Sequence, residues 1–360
     1  MTKETAPVSF FLGADNRARY CSLFGEVYSP FDEGRHYILK GGPGTGKSTF
    51  MKKVAQKLEA RGYFVERCYC SADPASLDMI YAPEINYSIL DGTSPHNFDA
   101  TLPGVTEFYV NLGEAWDTRY LKGHAKEIAE LVNACSTEHK RSSEFLWLAS
   151  RMEAQKSKLF SLEADFEKLA GYMKRLAKRK IPEKGASAPG KINKRFLSGI
   201  TPDGVFVMYD TINALCEELV TVEDKYAAAA PVIAAYLSAD AVNKGYDVYE
   251  CYCPLMPFSK VEHIIIPELK LCFFTENRYH PSLSDGEKTV HATRFCNKES
   301  LFSSKEKLTF LEKSQKELIT EAVRRMSVAK GLHDKLEEYY IKATDFSVID
   351  EKCEKLISEL

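Results

Sequence analysis

The chain has 360 residues, of which 44% are hydrophobic and 28% are charged, and its formal net charge is −3. At about 150 residues per domain this length predicts two or three domains, and the small net charge excludes a global field that would recruit nucleic acid or an anionic membrane. No apolar run reaches the roughly 20 residues that span a bilayer, no signal peptide is recognisable, and ten cysteines are too few for a disulfide scaffold. We therefore expect a soluble, cytoplasmic, multidomain protein with reduced thiols and no membrane partner.

The first predicted elements enclose a glycine-rich segment. Residues 36–40 are typical of a short buried strand, and residues 49–61 place their apolar side chains on one helical face, with Gly62 as the helix stop. The segment Gly41–Ser48 between them, GGPGTGKS, matches the Walker A pattern G-x-x-x-x-G-K-[ST]. Converging backbone N–H groups and the helix N-terminus make such a loop a phosphate site.

Each residue type in this loop has an expected role. Lys47 is expected to contact the β- and γ-phosphates of a nucleotide and to be catalytic, and the Ser48 hydroxyl is expected to ligate Mg²⁺. The predicted nucleotide-binding residues are Gly41, Gly42, Pro43, Gly44, Thr45, Gly46, Lys47, Ser48 and Thr49.

A P-loop also requires a carboxylate near the metal, normally at the end of a neighbouring parallel strand. The mostly apolar stretch 85–91 ends in Asp91, which we expect to be this metal ligand and catalytic group. Asp73 and Asp78 follow the preceding predicted strand. Asp73 is a further catalytic candidate, but either residue could equally cap a helix or lie in a solvated turn.

Beyond residue 120 the strand-like patterns stop. Apolar residues at alternating three- and four-residue spacing from Phe145 to Leu176 predict a coiled-coil-like helix over 142–180, preceded by a shorter helix near residues 128–135. Together they predict a helical hairpin arm at 121–181, followed by a linker at 182–195. The basic residues at 174–180 favour a solvated helix end, where the dipole suits cations, although a patch that contacts phosphate or nucleic acid is the alternative.

A repeat relates the two halves of the chain. Six of the nine residues at 62–70 recur at 245–253, and after a one-residue slip Pro83 and His96 fall on Pro267 and His280. This indicates a tandem duplication, with a nucleotide-binding domain at 1–120, a degenerate copy at 196–303 and a second helical arm at 304–360.

The second copy lacks the phosphate loop. Gly41–Thr49 corresponds to Asp224–Val232, which contains no glycine, and Pro231 replaces Ser48 at a position where a helix start tolerates proline. At the same offsets, the three aspartates Asp73, Asp78 and Asp91 fall on Met256, Val261 and Thr275. We therefore predict one live nucleotide site, and we expect the acidic residues to have been lost together with it.

Cysteines and histidines near these strands allow a metal site as an alternative. Cys68 and Cys70 share one strand face and, with His96, offer three soft ligands; their counterparts are Cys251, Cys253 and His280. The spacing is not that of common zinc sites, and no fourth ligand is evident. Buried structural cysteines are the favoured interpretation.

The motifs KGGPGTGKST at 40–49, SLD at 76–78 and DGTSPH at 91–96, with the C-x-C strand between the first two, resemble a poorly characterised bacterial family of duplicated P-loop ATPase-like proteins within the P-loop NTPase superfamily. The resemblance implies an α/β fold of two P-loop NTPase-like domains with mostly parallel sheets, and it implies ATP and Mg²⁺ as ligands. Members of that family keep a P-loop in the second half, which this chain does not.

These features predict an ATP-binding P-loop NTPase, an Mg²⁺-dependent ATPase with one live site. A small-molecule kinase with a helical arm as its lid is one alternative, and a nucleotide-gated module that binds a protein or nucleic acid is another. ATP is preferred to GTP because no N-K-x-D motif occurs. Arg17, Arg19 and Arg119 are candidates for an arginine near the γ-phosphate. The arms are expected to pack on each other within one chain, although pairing between two chains is also possible.

Overall fold

The computed structural model describes residues 8–15, 21–94, 98–185, 188–226, 229–257, 259–281, 289–297, 299 and 303–360. The fold is mixed α/β and contains two six-stranded, mostly parallel sheets. Among the described helices, none is both long and apolar enough to cross a membrane.

The first sheet has the strand order β1-β5-β6-β7-β4-β8. Only β6 runs antiparallel to its neighbours. The strands of this half, including a two-stranded ribbon of β2 and β3, are β1 (Val8–Phe11), β2 (Gly13–Ala14), β3 (Cys21–Ser22), β4 (Arg35–Lys40), β5 (Glu66–Tyr69), β6 (Leu77–Ala82), β7 (Tyr87–Asp91) and β8 (Glu107–Asn111).

The second sheet has the order β9-β13-β14-β15-β12-β16, so its strands follow the same succession along the chain as those of the first sheet. Here β14 is the antiparallel strand. Its strands, with the β10–β11 hairpin, are β9 (Ile192–Arg195), β10 (Ser198–Thr201), β11 (Gly204–Val207), β12 (Glu218–Glu223), β13 (Val248–Tyr252), β14 (Val261–Ile266), β15 (Leu271–Glu276) and β16 (Val290–His291). Strand β9 occupies the last four residues of the segment predicted as a linker.

The register of the two sheets corrects one sequence assignment. Cys68 pairs with Met79 and Cys251 pairs with His263, and in both halves the next strand begins two residues before that partner, at Leu77 and Val261. The one-residue slip therefore precedes β6 and β14, so Asp78 corresponds to Glu262 and not to Val261. The expectation that all three aspartates lack acidic counterparts is wrong for Asp78.

The α-helices of the described residues are α1 (Lys47–Ala60), α2 (Thr118–Gly123), α3 (Ala125–Glu163), α4 (Phe166–Lys180), α5 (Tyr209–Leu215), α6 (Ala229–Asn243), α7 (Lys305–Ala343) and α8 (Phe346–Ser358). The two longest, α3 and α7, have 39 residues each and pack along each other. Their contacts, such as Ser142 Oγ to the Ala322 carbonyl at 3.0 Å and Lys156 Nζ to Gln315 Oε1 at 2.7 Å, show that they run antiparallel.

The predicted helix over 142–180 is interrupted, and the predicted break before residue 142 does not exist. Residues 128–135 belong to the same helix as residue 142, because α3 is continuous from Ala125 to Glu163. Ala164 is extended, and Asp165 then caps α4 by accepting a hydrogen bond from the Lys168 N–H at 2.9 Å. The Asp165 N–H donates to the Phe295 carbonyl of the other half at 2.7 Å, so tertiary contacts fix the break.

Each short helix after the break packs on the opposite half of the chain. Leu169 and Leu176 of α4 lie in one core with Ile233 and Leu237 of α6. In the same way, α8 packs against α1, with Ile349 in the core of the first sheet. The two halves therefore exchange their terminal helices within one chain.

Candidate functional site

The glycine-rich segment forms the connection between β4 and α1. Gly44 and Gly46 have φ values of +67° and +79°, in the left-handed region that favours glycine. Thr45 is 1% exposed, and its Oγ1 donates to the Gly42 carbonyl at 2.8 Å, which closes the turn. The loop therefore leads directly into the N-terminus of a 14-residue helix, the arrangement expected of an anion site.

Lys47 and Asp91 meet at this loop. Lys47 Nζ donates to the carbonyls of Gly41 and Gly42, both at 2.8 Å, and lies 3.5 Å from Asp91 Oδ2. The parallel pairing of β4 with β7 places Asp91 beside Leu39, two residues before Gly41. The other oxygen of Asp91, Oδ1, accepts from the backbone N–H and the hydroxyl of Thr93.

The oxygen atoms proposed for Mg²⁺ suit a hard cation. Ser48 Oγ accepts the Leu77 N–H at 3.0 Å, which leaves a second lone pair for a ligand. Together with the Asp91 carboxylate it offers the hydroxyl and carboxylate oxygens that Mg²⁺ prefers. Thr49, one residue further along α1, is exposed.

Asp73 lies in a turn, where it accepts from the Ser76 hydroxyl at 2.6 Å and is 3.7 Å from Lys330 Nζ of α7. These two partners of Asp73 are distinct from Lys47 and Asp91. Asp78 is buried in β6. Of the arginine candidates, Arg119 is exposed on α2, whereas Arg17 and Arg19 lie outside the described residues.

The C-terminal end of α7 covers the glycine loop, a contact that no sequence pattern predicts. The Gly44 N–H donates to Glu337 Oε1 at 3.1 Å. A Cβ atom at Gly42 would lie 2.9 Å from the Tyr340 ring, and one at Gly44 would lie 2.9 Å from the Glu337 carbonyl oxygen. Nothing in the predicted helical arm at 304–360 distinguishes Glu337 from the other acidic residues of α7, and 293 positions separate it from Gly44.

Glu337 is held in its charged form. His333, one turn earlier in α7, places Nε2 3.4 Å from Glu337 Oε1. Hydrogen bonding from His333 lowers the pKa of Glu337 despite its partial burial. Hydrogen bonds to Cys135 and Glu337 raise the pKa of His333 to about 9. A carboxylate therefore rests against a backbone N–H of the loop.

In the second half, the position that corresponds to the glycine loop of the first half is a cavity of about 370 Å³. Residues from the ends of β12 and β15 line it, together with side chains of α3 and α7. A buried ion-pair network forms one wall: Lys260 Nζ lies 3.0 Å from both Glu153 and Glu262, and Lys156 Nζ lies 2.7 Å from Glu153. The cavity wall thus carries compensated charges where the first half has its glycine loop.

The second of the two predicted metal-ligand sets, Cys251, Cys253 and His280, does not form a metal site. Within the described residues, the only three His, Cys, Asp or Glu side chains grouped closely enough to share an ion are Glu262, His263 and His280. Neither Cys251 nor Cys253 belongs to this group, and His96 lies outside the described residues. Burial raises the pKa of Cys68 and brings that of Cys253 to about 12, as expected for structural thiols.

The hydrogen bonds of that group do not suit a cation. His263 Nδ1 accepts the Thr275 N–H at 3.1 Å, so the proton of the neutral ring is on Nε2, which then has no lone pair for a metal. Lys260 already donates to Glu262 Oε1. The three buried atoms without a protein partner, His263 Nε2, His280 Nε2 and Glu262 Oε2, match a water molecule better than a divalent ion.

Acidic side chains pair with basic residues in the 174–180 segment and in the residues that follow it, up to Arg195. Lys180 pairs with Glu218, Lys184 with Glu268 at 2.5 Å, and Lys194 with Glu26 at 3.1 Å. Arg195 is fully buried, and its Nε donates to Glu66 Oε2 at 2.9 Å. Arg195 is therefore a structural residue between the two sheets.

Comparison with protein-family models, with curated proteins and with solved structures finds no match to this chain.

Proposed function

We propose that this chain is an ATP-binding P-loop NTPase whose first half holds the nucleotide site. The observation that carries the proposal is the meeting of Lys47 Nζ with the Asp91 carboxylate at the mouth of a glycine loop that opens a helix. A lysine, a carboxylate and a row of backbone N–H groups are what the binding of nucleotide phosphates requires.

The two halves support a duplicated origin with one live site. Their sheets have the same strand succession, and their long helices have the same length. The segment that follows β12 contains no glycine, whereas the loop of the first half has Gly44 and Gly46 in the left-handed region that favours glycine. The second half would thus serve the first as a scaffold.

In this proposal each residue of the loop has a defined task. The N–H groups of residues 44–47 hold the phosphates, and Lys47 leaves the carbonyls of Gly41 and Gly42 to bind the β- and γ-phosphates. Ser48 and Asp91 hold Mg²⁺, which when bound neutralises charge that develops on the phosphates. Asp73, which already accepts a hydroxyl hydrogen bond from Ser76, could orient water only if it approaches this site.

The test is Mg²⁺-ATP binding, measured by isothermal titration calorimetry, in the full chain and in Lys47→Ala. Since each charge-assisted hydrogen bond contributes about 1.5–3 kcal/mol, the loss of two phosphate contacts should weaken binding by at least roughly 100-fold. The control is Lys57→Ala, an exposed lysine of the same helix, which should bind as the wild type does. Equal ATP affinity in Lys47→Ala and the wild type would refute the proposal.

Asp91→Asn separates metal from phosphate binding. Removal of the carboxylate charge should abolish the stimulation of binding and turnover by Mg²⁺, while metal-free nucleotide still binds the loop. Phosphate release in the absence of any acceptor distinguishes an ATPase from a kinase that needs a small-molecule substrate.

A further inference from the structure

Gly44 of the glycine loop has a partner where a nucleotide phosphate would be expected. Its N–H donates to the carboxylate of Glu337, whose side chain is 31% exposed and belongs to the arm of the other half. A carboxylate resembles a phosphate in charge and in its acceptor oxygens, and a backbone N–H can satisfy only one strong acceptor. Glu337 and a phosphate therefore compete for the same donor.

Further contacts hold α7 over the loop. Tyr340 and Ile341 lie against Gly42 and Gly44, and Phe346 of α8 lies against Gly46. Further back along α7, Lys330 Nζ is 3.7 Å from Asp73 and also pairs with Asp334. The Walker A pattern requires no glycine at position 42, so the close approach of Tyr340 explains why a small residue stands there.

We propose that Glu337 is a latch on the phosphate site: incoming nucleotide phosphates displace its carboxylate from Gly44 and loosen the C-terminal end of α7 from the glycine loop. This inference rests on the proposed nucleotide site, and it adds that Glu337 regulates nucleotide binding there. Because α7 packs along α3 and leads directly into α8, nucleotide binding in the first half is coupled to the helices that join the two halves. Such coupling gives the chain the properties of a nucleotide-gated switch.

The experiment compares Mg²⁺-ATP affinity in the wild type, Glu337→Ala, Glu337→Gln and Glu338→Ala. Glu338 is the exposed neighbour on the same helix and serves as the matched control. Removal of a charge-assisted competitor should tighten binding about ten-fold in Glu337→Ala, and less in Glu337→Gln, which keeps an acceptor oxygen. Glu338→Ala should bind as the wild type does, and melting temperatures verify that all variants fold.

Hydrogen exchange gives an independent measurement. ATP should accelerate amide exchange in residues 337–343 of the wild type, and should not do so in Lys47→Ala. Wild-type affinity in Glu337→Ala, with binding still dependent on Lys47, would overturn the latch and leave the nucleotide site intact. Failure of both the wild type and Glu337→Ala to bind ATP would overturn both. Binding only in Glu337→Ala, lost again when Lys47→Ala is added, would support a tightly closed latch.

Discussion

His36 lies within β4, the strand that leads into the glycine loop, and is fully buried. Its ring stacks on Tyr28 at 3.5 Å between centroids, and its Nδ1 is 2.9 Å from Ser88 Oγ. Burial lowers the pKa of His36 to about 4, although the nearby Glu107 acts in the opposite direction. The folded protein therefore holds a neutral imidazole under conditions in which the unfolded chain binds a proton.

The sign of the resulting pH dependence follows from this pKa. Because the pKa of His36 is depressed, its contribution to stability is complete above the unfolded value of about 6.5 and is lost as the pH falls toward 4. The loss approaches about 1.4 kcal/mol per pH unit. His36→Phe retains the stacked ring and removes the titration, so its thermal midpoint should fall less steeply than that of the wild type between pH 6.5 and 4.5.

Burial also lowers the pKa values of His263 and His280. The quantity to measure is therefore the difference in thermal midpoint between the wild type and His36→Phe at each pH. The contribution of His263 and His280 is common to both proteins and cancels. Parallel curves of thermal midpoint against pH for wild type and His36→Phe would show that His36 does not carry the expected acid sensitivity.

At the scale of elements, the sequence predicted the strand–loop–helix unit well and the helical arms less well. The apolar periodicity of residues 49–61 and the stop at Gly62 correspond to α1, and Gly62 has φ of +89°. The break at Ala164 was missed because the heptad spacing continues through it. Asp165 is an ordinary capping residue and was available as a signal, but the hydrogen bond from its N–H to Phe295 depends on tertiary structure.

Because α4 and α8 each pack on the opposite half, a substitution in α4 should affect the second half. The order of the elements along the chain would suggest an effect on the first half instead. Leu169 lies in α4, in the arm that follows the first sheet along the chain, yet it is buried in the core of the second sheet. Leu169→Ala should cost about 2–5 kcal/mol and should accelerate hydrogen exchange in residues 229–243 of α6, with little effect on residues 47–60 of α1.

Ile349→Ala provides the reciprocal control. Ile349 of α8 is buried against the first sheet, so its removal should loosen α1 and spare α6. If Leu169→Ala instead loosens α1 more than α6, the packing of each short helix on the opposite half is wrong.

At the scale of the whole molecule, the repeat of residues 62–70 at 245–253 predicted two α/β halves, and the fold has two six-stranded sheets with the same strand succession. The repeat could not show how the halves meet, because contacts between the halves have no counterpart within either half. Glu66 and Arg195 illustrate this: their counterparts are Tyr249 and Phe10, and the four side chains meet at one junction. The covering of the glycine loop by α7 is likewise a contact between halves, which local patterns do not encode.

Backbone hydrogen bonds and a buried ion pair stabilise the junction between the two halves. The N–H groups of Phe11 and Phe196 each donate to the carbonyl of the other, at 2.8 and 3.0 Å. Beside them, Glu66 accepts from Arg195 Nε at 2.9 Å and from the Tyr249 hydroxyl at 2.6 Å. Since Arg195 is fully buried, its charge has no access to water if Glu66 is removed.

We expect Arg195→Met to destabilise the protein by about 3–5 kcal/mol, because it leaves the Glu66 carboxylate buried without its cation. The double variant Arg195→Met/Glu66→Gln removes both charges while keeping an acceptor for Tyr249, and it should recover most of that loss. Lys194→Met, which removes the neighbouring and partly exposed pair with Glu26, should cost less than about 1 kcal/mol. Urea unfolding, followed by fluorescence and by hydrogen exchange in both sheets, measures each effect.

Because the pair joins the two sheets, Arg195→Met should accelerate exchange in β5 of the first sheet and in β13 of the second to a similar degree. A loss no larger than that of Lys194→Met would show that the ion pair does not hold the halves together. A loss confined to the second sheet would show that Arg195 supports only its own half. Recovery in the double variant is the decisive result, since it separates the cost of an unpaired buried charge from the loss of side-chain packing.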